Sequence, residues 1–178
     1  MQRGSPGPDA LYRAVRDVPD FPKPGIVFKD ITPVLLDPGL LGQAIERMAA
    51  GYRGTGVTRI VAIESRGFLL APPIALALGA GLVPIRKPGK LPAKAHRVDY
   101  ELEYGTDALE MHHDALGPQD RVLIVDDVLA TGGTAAAAAR LVQASGARLV
   151  GLTFLIELEF LGGRTRLDGL RVEAVLRY

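Results

Sequence analysis

Residues 122–134 read VLIVDDVLATGGT. Four apolar residues run into two adjacent aspartates, and a turn of small residues then opens an alanine-rich stretch. The apolar run predicts a buried strand over 121–126, and the continuation predicts a helix over 132–145. Strand, glycine-rich turn and helix in that order form the repeating unit of a parallel α/β sheet, whose ligands gather at the carboxyl ends of its strands. Ala130, Thr131, Gly132, Gly133 and Thr134 can bring backbone N–H groups and hydroxyls up to a phosphate at a helix N-terminus. Asp126 and Asp127 would repel that phosphate, and when ionised they only accept hydrogen bonds. A vicinal diol supplies the donors they need. The stretch therefore reads as a cradle for a ribose 5-phosphate, with the phosphate on the turn and the sugar hydroxyls on the aspartates. Neither a P-loop run nor a dinucleotide fingerprint occurs.

Outward from this stretch, short apolar strands alternate with helices. TRIVAIE (58–64), LVPIR (82–86), ARLVGLTFLIEL (147–158) and LRVEAVLRY (170–178) read as strands. Residues 9–17, 39–53 and the apolar 69–79 read as helices, with Pro72-Pro73 suited to a helix first turn. The five prolines of 19–38 argue against regular structure there. VDYELEY (98–104) and ALEMHH (108–113) flank Gly105-Thr106-Asp107 and predict a hairpin with a three-residue loop. On it, Val98, Tyr100, Leu102 and Tyr104 share one face, and Asp99, Glu101 and Glu103 the other. Ahead of the hairpin, RKPGKLPAKAHR (86–97) carries five Lys or Arg and no acid, as a mobile flap would. His112-His113 would point to opposite strand faces, so one metal ion could not readily take both. Ala135–Ala139 reads as a close-packed helix face. The expected fold class is α/β, a mostly parallel central sheet flanked by helices.

Composition sets limits on function. With 178 residues, 48% of them hydrophobic, the chain can bury the core of a single domain. Twenty-one basic and 20 acidic residues leave a net charge of +1, which argues against a dedicated nucleic-acid or membrane surface. There is no cysteine for a disulfide, a thiolate zinc site or a nucleophile. No apolar run reaches the ~18 residues of a membrane span, and the start MQRGSPGPDA lacks a secretory h-region. A soluble cytoplasmic protein is expected.

VLIVDDVLATGGT resembles the 5-phosphoribosyl 1-pyrophosphate (PRPP) motif of the type I phosphoribosyltransferases. FPKPGIVFKDITPVLLDP (21–38), ESRGFLLAPPIALALG (64–79), VPIRKPGKLP (83–92) and YELEYGTDALEMHHDAL (100–116) are similar, in order, to motifs of the adenine branch of that family. The resemblance spans nearly the whole chain. It implies one phosphoribosyltransferase domain over 1–178, with an N-terminal helix and hood in 1–38 and a flexible flap hairpin in 86–113. It also implies the purine-salvage reaction of adenine with PRPP to give AMP and pyrophosphate, with Mg2+ held mainly by PRPP and water and with no direct protein ligand. A homodimer is implied, with neither nucleic acid nor membrane as a partner. The rival readings are a 6-oxopurine or orotate transferase and a PRPP-binding regulator.

By the same resemblance, Ser65, Arg66, Arg86, Lys87, Lys90 and Tyr104 meet pyrophosphate. A cis peptide is implied at Ser65–Arg66, before the arginine. Glu103 is the implied catalytic carboxylate of the flap, either taking the adenine proton or stabilising the sugar cation, with Glu101 as the fallback. Arg66 is the second catalytic candidate. Val27, Phe28 and Lys29 form the adenine hood, with Phe28 stacked on the base and Arg66 along its edge.

Overall fold

A computed structural model of the protein describes residues 9–101 and 105–178. Two compact units are present, Met1–Glu46 and Arg47–Tyr178.

In the first unit, α1 (Ala10–Ala14) is capped by Asp9, whose carboxylate accepts from the Leu11 N–H at 3.0 Å. The helix is shorter than the predicted 9–17, because the chain turns extended into β1 (Arg16–Pro19). β1 pairs antiparallel with β2 (Val27–Asp30), Val18 opposite Phe28. Helix α2 (Thr32–Leu36) follows, with Pro33 in its first turn. The proline-rich segment is thus more regular than expected. Its prolines fall at the last residue of β1, in the connection to β2, at the start of α2 and at the first residue of α3, the ends and connections where proline is tolerated. Helix α3 (Pro38–Ala50) buries Ala44, Ile45, Met48 and Ala49 while Gln43, Glu46 and Arg47 stay exposed, the predicted amphipathic pattern.

The second unit is built on a parallel sheet. Among the described residues its order is β4-β3-β7-β8-β9, with β3 Arg59–Ile63, β4 Gly81–Ile85, β7 Arg121–Leu129, β8 Arg148–Glu157 and β9 Val172–Arg177. Ile60–Ile63 and Val122–Val125 are fully buried, as expected for strands covered on both faces. Helix α4 (Gly67–Leu78) packs on β3, β4 and β7. Helix α5 (Gly133–Ala144) packs on β7 and β8 and on a hairpin of β5 (Ala95–Glu101) and β6 (Thr106–His112). The buried Ala135, Ala137, Ala138 and Ala139 give α5 the close-packed face read from the sequence. No helix among the described residues is long and apolar enough to cross a membrane.

Three expectations shift. Pro72 and Pro73 lie inside α4 rather than in its first turn. The helix begins earlier because Phe68 and Leu69 donate to the carbonyls of Ser65 and Arg66 at 3.2 and 3.0 Å, closing a tight turn directly after β3. The hairpin is present, but Thr106 and Asp107 belong to β6, opposite Glu101 and Tyr100, and not to the connection. Its two-face alternation holds where described, Val98 and Tyr100 being turned inward, Asp99 and Glu101 exposed. Finally, β7 does not stop at the aspartates but continues to Leu129. The cause is β8, long enough to pair with it as far as Leu129–Glu157, whereas β3 pairs only as far as Val125.

Candidate active site

The unequal lengths of β3 and β7 make the rim. Because β3 pairing ends at Val125, Asp126 and Asp127 are the first β7 residues without β3 beside them. The start of α4 takes that space. A side chain on Gly67 would put its Cβ 2.9 Å from the Val125 carbonyl oxygen and 3.0 Å from Asp126 Oδ1, so only glycine lets α4 come this close. Asp126 Oδ1 accepts the Asp127 N–H at 2.9 Å, and Arg66 Nε lies 2.7 Å from Asp127 Oδ2. Burial and the charge of Asp127 push the Asp126 carboxyl well above the usual carboxylate range. Burial also raises Asp127, against the pull of Arg66.

After Leu129 the chain passes through Ala130 and Thr131 to Gly132, whose φ of +81° is the left-handed region. This residue caps α5, its carbonyl accepting from the Ala136 N–H at 2.9 Å. The first N–H groups of α5, those of Gly133 and Thr134 among them, have no acceptor within the helix. The turn is pressed against the segment Gly162–Gly163. A Cβ on Gly132 would fall 2.2 Å from the Gly163 carbonyl oxygen, and one on Gly163 would fall 2.0 Å from that of Ala130. Nothing larger than glycine fits at either place without moving the turn.

On the other side of the rim, the cis peptide is Glu64–Ser65, one residue before the expected Ser65–Arg66 bond. Glu64 still belongs to the strand ladder, donating its N–H to the Ile85 carbonyl at 3.0 Å, so the chain leaves the sheet at Ser65. Ser65 is exposed, and Arg66 is partly so. The cations of the next strand end converge on the same place. Arg86 Nε and the Lys87 N–H donate to Glu64 Oε2 at 3.3 and 2.9 Å, and Lys90 is ion-paired with Glu64 Oε1. Lys87 Nζ pairs with Asp107 and donates to the Tyr100 hydroxyl at 3.1 Å. Tyr100, 6% exposed, also receives the Thr134 hydroxyl at 3.4 Å, which links the flap root to the phosphate turn. Arg86 and Lys90 are therefore paired with Glu64, and Lys87 with Asp107.

Ser65, Arg86, Lys87 and Lys90 thus lie on one side of the rim and Asp126, Asp127 and the 130–134 turn on the other, with Arg66 reaching across to Asp127, all in the second unit. Val27, Phe28 and Lys29 belong to the first unit and lie in a strand, not in irregular backbone. Phe28 packs edge-on against Phe21, ring centroids 5.1 Å apart, and Lys29 Nζ pairs with Asp17 at 2.6 Å. Glu103 and Tyr104 lie outside the described residues. Glu101 is exposed at the end of β5. His113 stacks on His96, with centroids 4.3 Å apart.

Sequence reading missed Glu64, Tyr100, Asp107 and Gly163. One of these was within reach: Ile63 opposite Ile85 in a parallel pair puts Glu64 beside Arg86, so the strand register itself would have brought the carboxylate among the cations.

The phosphoribosyl transferase domain family matches residues 35–160. The adenine phosphoribosyltransferase of Myxococcus xanthus (strain DK1622) is 61% identical over 168 residues, covering 94% of this chain and 91% of its own. Among solved structures, the adenine phosphoribosyltransferase of Thermoanaerobacter pseudethanolicus ATCC 33223 superposes with a TM-score of 0.92 at 50% identity, covering 94% of this chain and 98% of that one. The Saccharomyces cerevisiae enzyme, crystallised with an imino-altritol bisphosphate and adenine, superposes with a TM-score of 0.88 at 42% identity, covering 93% of this chain and 96% of that one.

Proposed function

The chain belongs to the adenine phosphoribosyltransferase family, with the type I phosphoribosyltransferase fold, and from that premise we propose how its residues perform the reaction. The enzyme transfers the 5-phosphoribosyl group of PRPP to adenine, giving AMP and pyrophosphate. The observation that carries this reading is the Asp126–Asp127 pair, set on β7 directly ahead of a glycine-capped helix start. Diol acceptors and phosphate donors are thereby held a fixed distance apart on one rigid element.

In this reading the 5-phosphate takes the free N–H groups at the start of α5 and the hydroxyls of Thr131 and Thr134, favoured by the helix dipole. Asp126 and Asp127 accept from the two ribose hydroxyls. Donors from the ribose offset the burial that raises both carboxyls, so PRPP binding favours the ionised pair. Pyrophosphate lies with Ser65, Arg66, Arg86, Lys87 and Lys90, whose charge stabilises the leaving group as the C1–O bond breaks. The Mg2+ ion is carried in on substrate oxygens, with water completing its shell. When bound there, Mg2+ neutralises charge on the departing pyrophosphate.

Adenine needs an acceptor for its amino group and donors for its ring nitrogens. A two-stranded ribbon leaves N–H and C=O groups on its outer edges, and β2 offers such an edge at Val27, Phe28 and Lys29. Backbone contacts of this kind do not depend on the Lys29 side chain. Glu103 is the proposed acceptor of the adenine proton, or the stabiliser of the sugar cation. The flap 86–113, with Tyr104, covers the sugar and keeps water from the ribosyl cation. Residues 1–178 work as one domain. Two copies pair as a homodimer, for which the exposed Leu69 and Leu76 of α4 offer an apolar stripe.

The test is stoichiometric. Incubation with adenine, PRPP and Mg2+ should yield AMP and pyrophosphate one for one, and chelation of the metal should stop both. Full turnover under chelator, or consumption of PRPP without AMP, would contradict the assignment.

A further inference from the structure

Two cations proposed for pyrophosphate, Arg86 and Lys90, and the backbone N–H of a third, Lys87, share one carboxylate, and nothing so far gives that carboxylate a task. Glu64 directly follows β3 and still bonds to β4 through its N–H, and its side chain is only 11% exposed. Its Oε2 takes the Arg86 side chain and the Lys87 backbone N–H, and its Oε1 takes the Lys90 ammonium. Burial alone would raise its pKa, but Lys90, the Lys87 N–H and Arg86 hold it at about 2, so it is charged at every working pH. Arg86 is also fixed from behind, its N–H and C=O both bonded to the Glu110 backbone of β6 at 2.9 and 2.8 Å.

We infer that Glu64 is a positioning residue for the leaving group: it ties the Ser65–Arg66 limb of the site to the Arg86–Lys90 limb and presets the cations at pyrophosphate spacing. The inference rests on the pyrophosphate reading of those cations. Ser65 and Arg66 follow Glu64 directly in the chain. Arg86, Lys87 and Lys90 are held by its two oxygens. A single side chain therefore sets the distance between the two halves of the clamp. The Lys87 N–H contact fixes backbone, so the effect does not depend on charge alone. Without the carboxylate, Arg86 and Lys90 repel one another and the Lys87 backbone loses its acceptor, so PRPP must order them as it binds, which weakens its affinity.

Glu64→Gln separates the two contributions. The amide oxygen can keep the Lys87 N–H, while the charge holding Lys90 and Arg86 is lost. The KM for PRPP and the inhibition constant of pyrophosphate should each rise roughly tenfold, the size of one lost charge-assisted hydrogen bond. The KM for adenine should stay within about twofold, a split that general loosening of the fold would not produce. Combined with Lys90→Ala, the losses in pyrophosphate affinity should be clearly less than additive, because one acts through the other. Unchanged PRPP and pyrophosphate constants in E64Q, or full additivity with K90A, would overturn the inference. If K90A and Arg86→Ala themselves leave pyrophosphate inhibition unchanged, it is the pyrophosphate reading that fails. Should E64Q not fold, Glu64→Asp carries the test: it keeps the charge but shortens its reach, and PRPP must again be weakened selectively.

Discussion

Asp126 illustrates what a site asks of a single residue. Its carboxyl is buried beside a second carboxyl, and its ionised form is disfavoured until a ligand supplies donors. A carboxyl raised in the folded state contributes a stability that is intact below its ordinary pKa and is gone once pH has risen through the raised value. Asn at this position keeps the oxygen that takes the Asp127 N–H but never ionises. Asp126→Asn should therefore raise the melting temperature at pH 8 by a few degrees, roughly 1 kcal/mol for a chain of this length, and the gain should shrink as pH falls. The same substitution should raise the KM for PRPP about tenfold through the lost charged acceptor. Thermal melts across pH and PRPP saturation curves check the two halves. A variant less stable at pH 8, or one with unaltered PRPP use, would contradict the carboxylate pair as described. The placing of this pair ahead of a glycine turn was legible in the sequence, because the strand and the turn that follows it are local. Their burial was not, since it depends on where β3 ends.

At the scale of elements, the phosphate turn is shaped from outside as much as by its own residues. Gly132 supplies the left-handed φ, but the turn is also pressed onto Gly163, which is 31 residues away in sequence. Gly163→Ala would drive a methyl group into the Ala130 carbonyl, and the turn would have to move. The expected outcome is a fold that survives with about 1–3 kcal/mol less stability and a KM for PRPP raised by tenfold or more, with adenine affinity little changed. Saturation kinetics and a melt on this one variant decide it; unaltered kinetics would remove Gly163 from the site. Such long-range closeness has no signature in local sequence pattern. The strands and helices did, because period and turn residues are local. Their ends did not: β7 runs past the aspartates because β8 is there to pair with it, and α4 begins before its prolines because of a tight turn. The hairpin was legible from its alternation, whereas its connection was misplaced, glycine at 105 having drawn the turn toward Thr106 and Asp107.

For the molecule as a whole, the parallel sheet order β4-β3-β7-β8-β9 carries every described residue of the proposed PRPP site on the second unit, at strand ends or directly after them. Its described surface carries an apolar stripe on α4 that the fold does not cover. Leu69 and Leu76, seven residues apart on α4, share a helix face and are 52% and 85% exposed, and Leu82 of β4 is 45% exposed. If this stripe is the homodimer surface, Leu76→Asp should halve the sedimentation mass at micromolar concentration, because a buried unpaired carboxylate is costly at an interface. An unchanged mass would place the dimer contact elsewhere, and a monomeric wild-type protein would remove the dimer from the account.

The central claim is that this rim transfers phosphoribose to adenine rather than to another base. The measurement that tests it most directly offers adenine, hypoxanthine, guanine and orotate separately at equal concentration, with PRPP and Mg2+, and follows nucleotide formation. The account predicts AMP from adenine and little or no nucleotide from the other three. Turnover of an oxopurine or of orotate equal to or above that of adenine would contradict it.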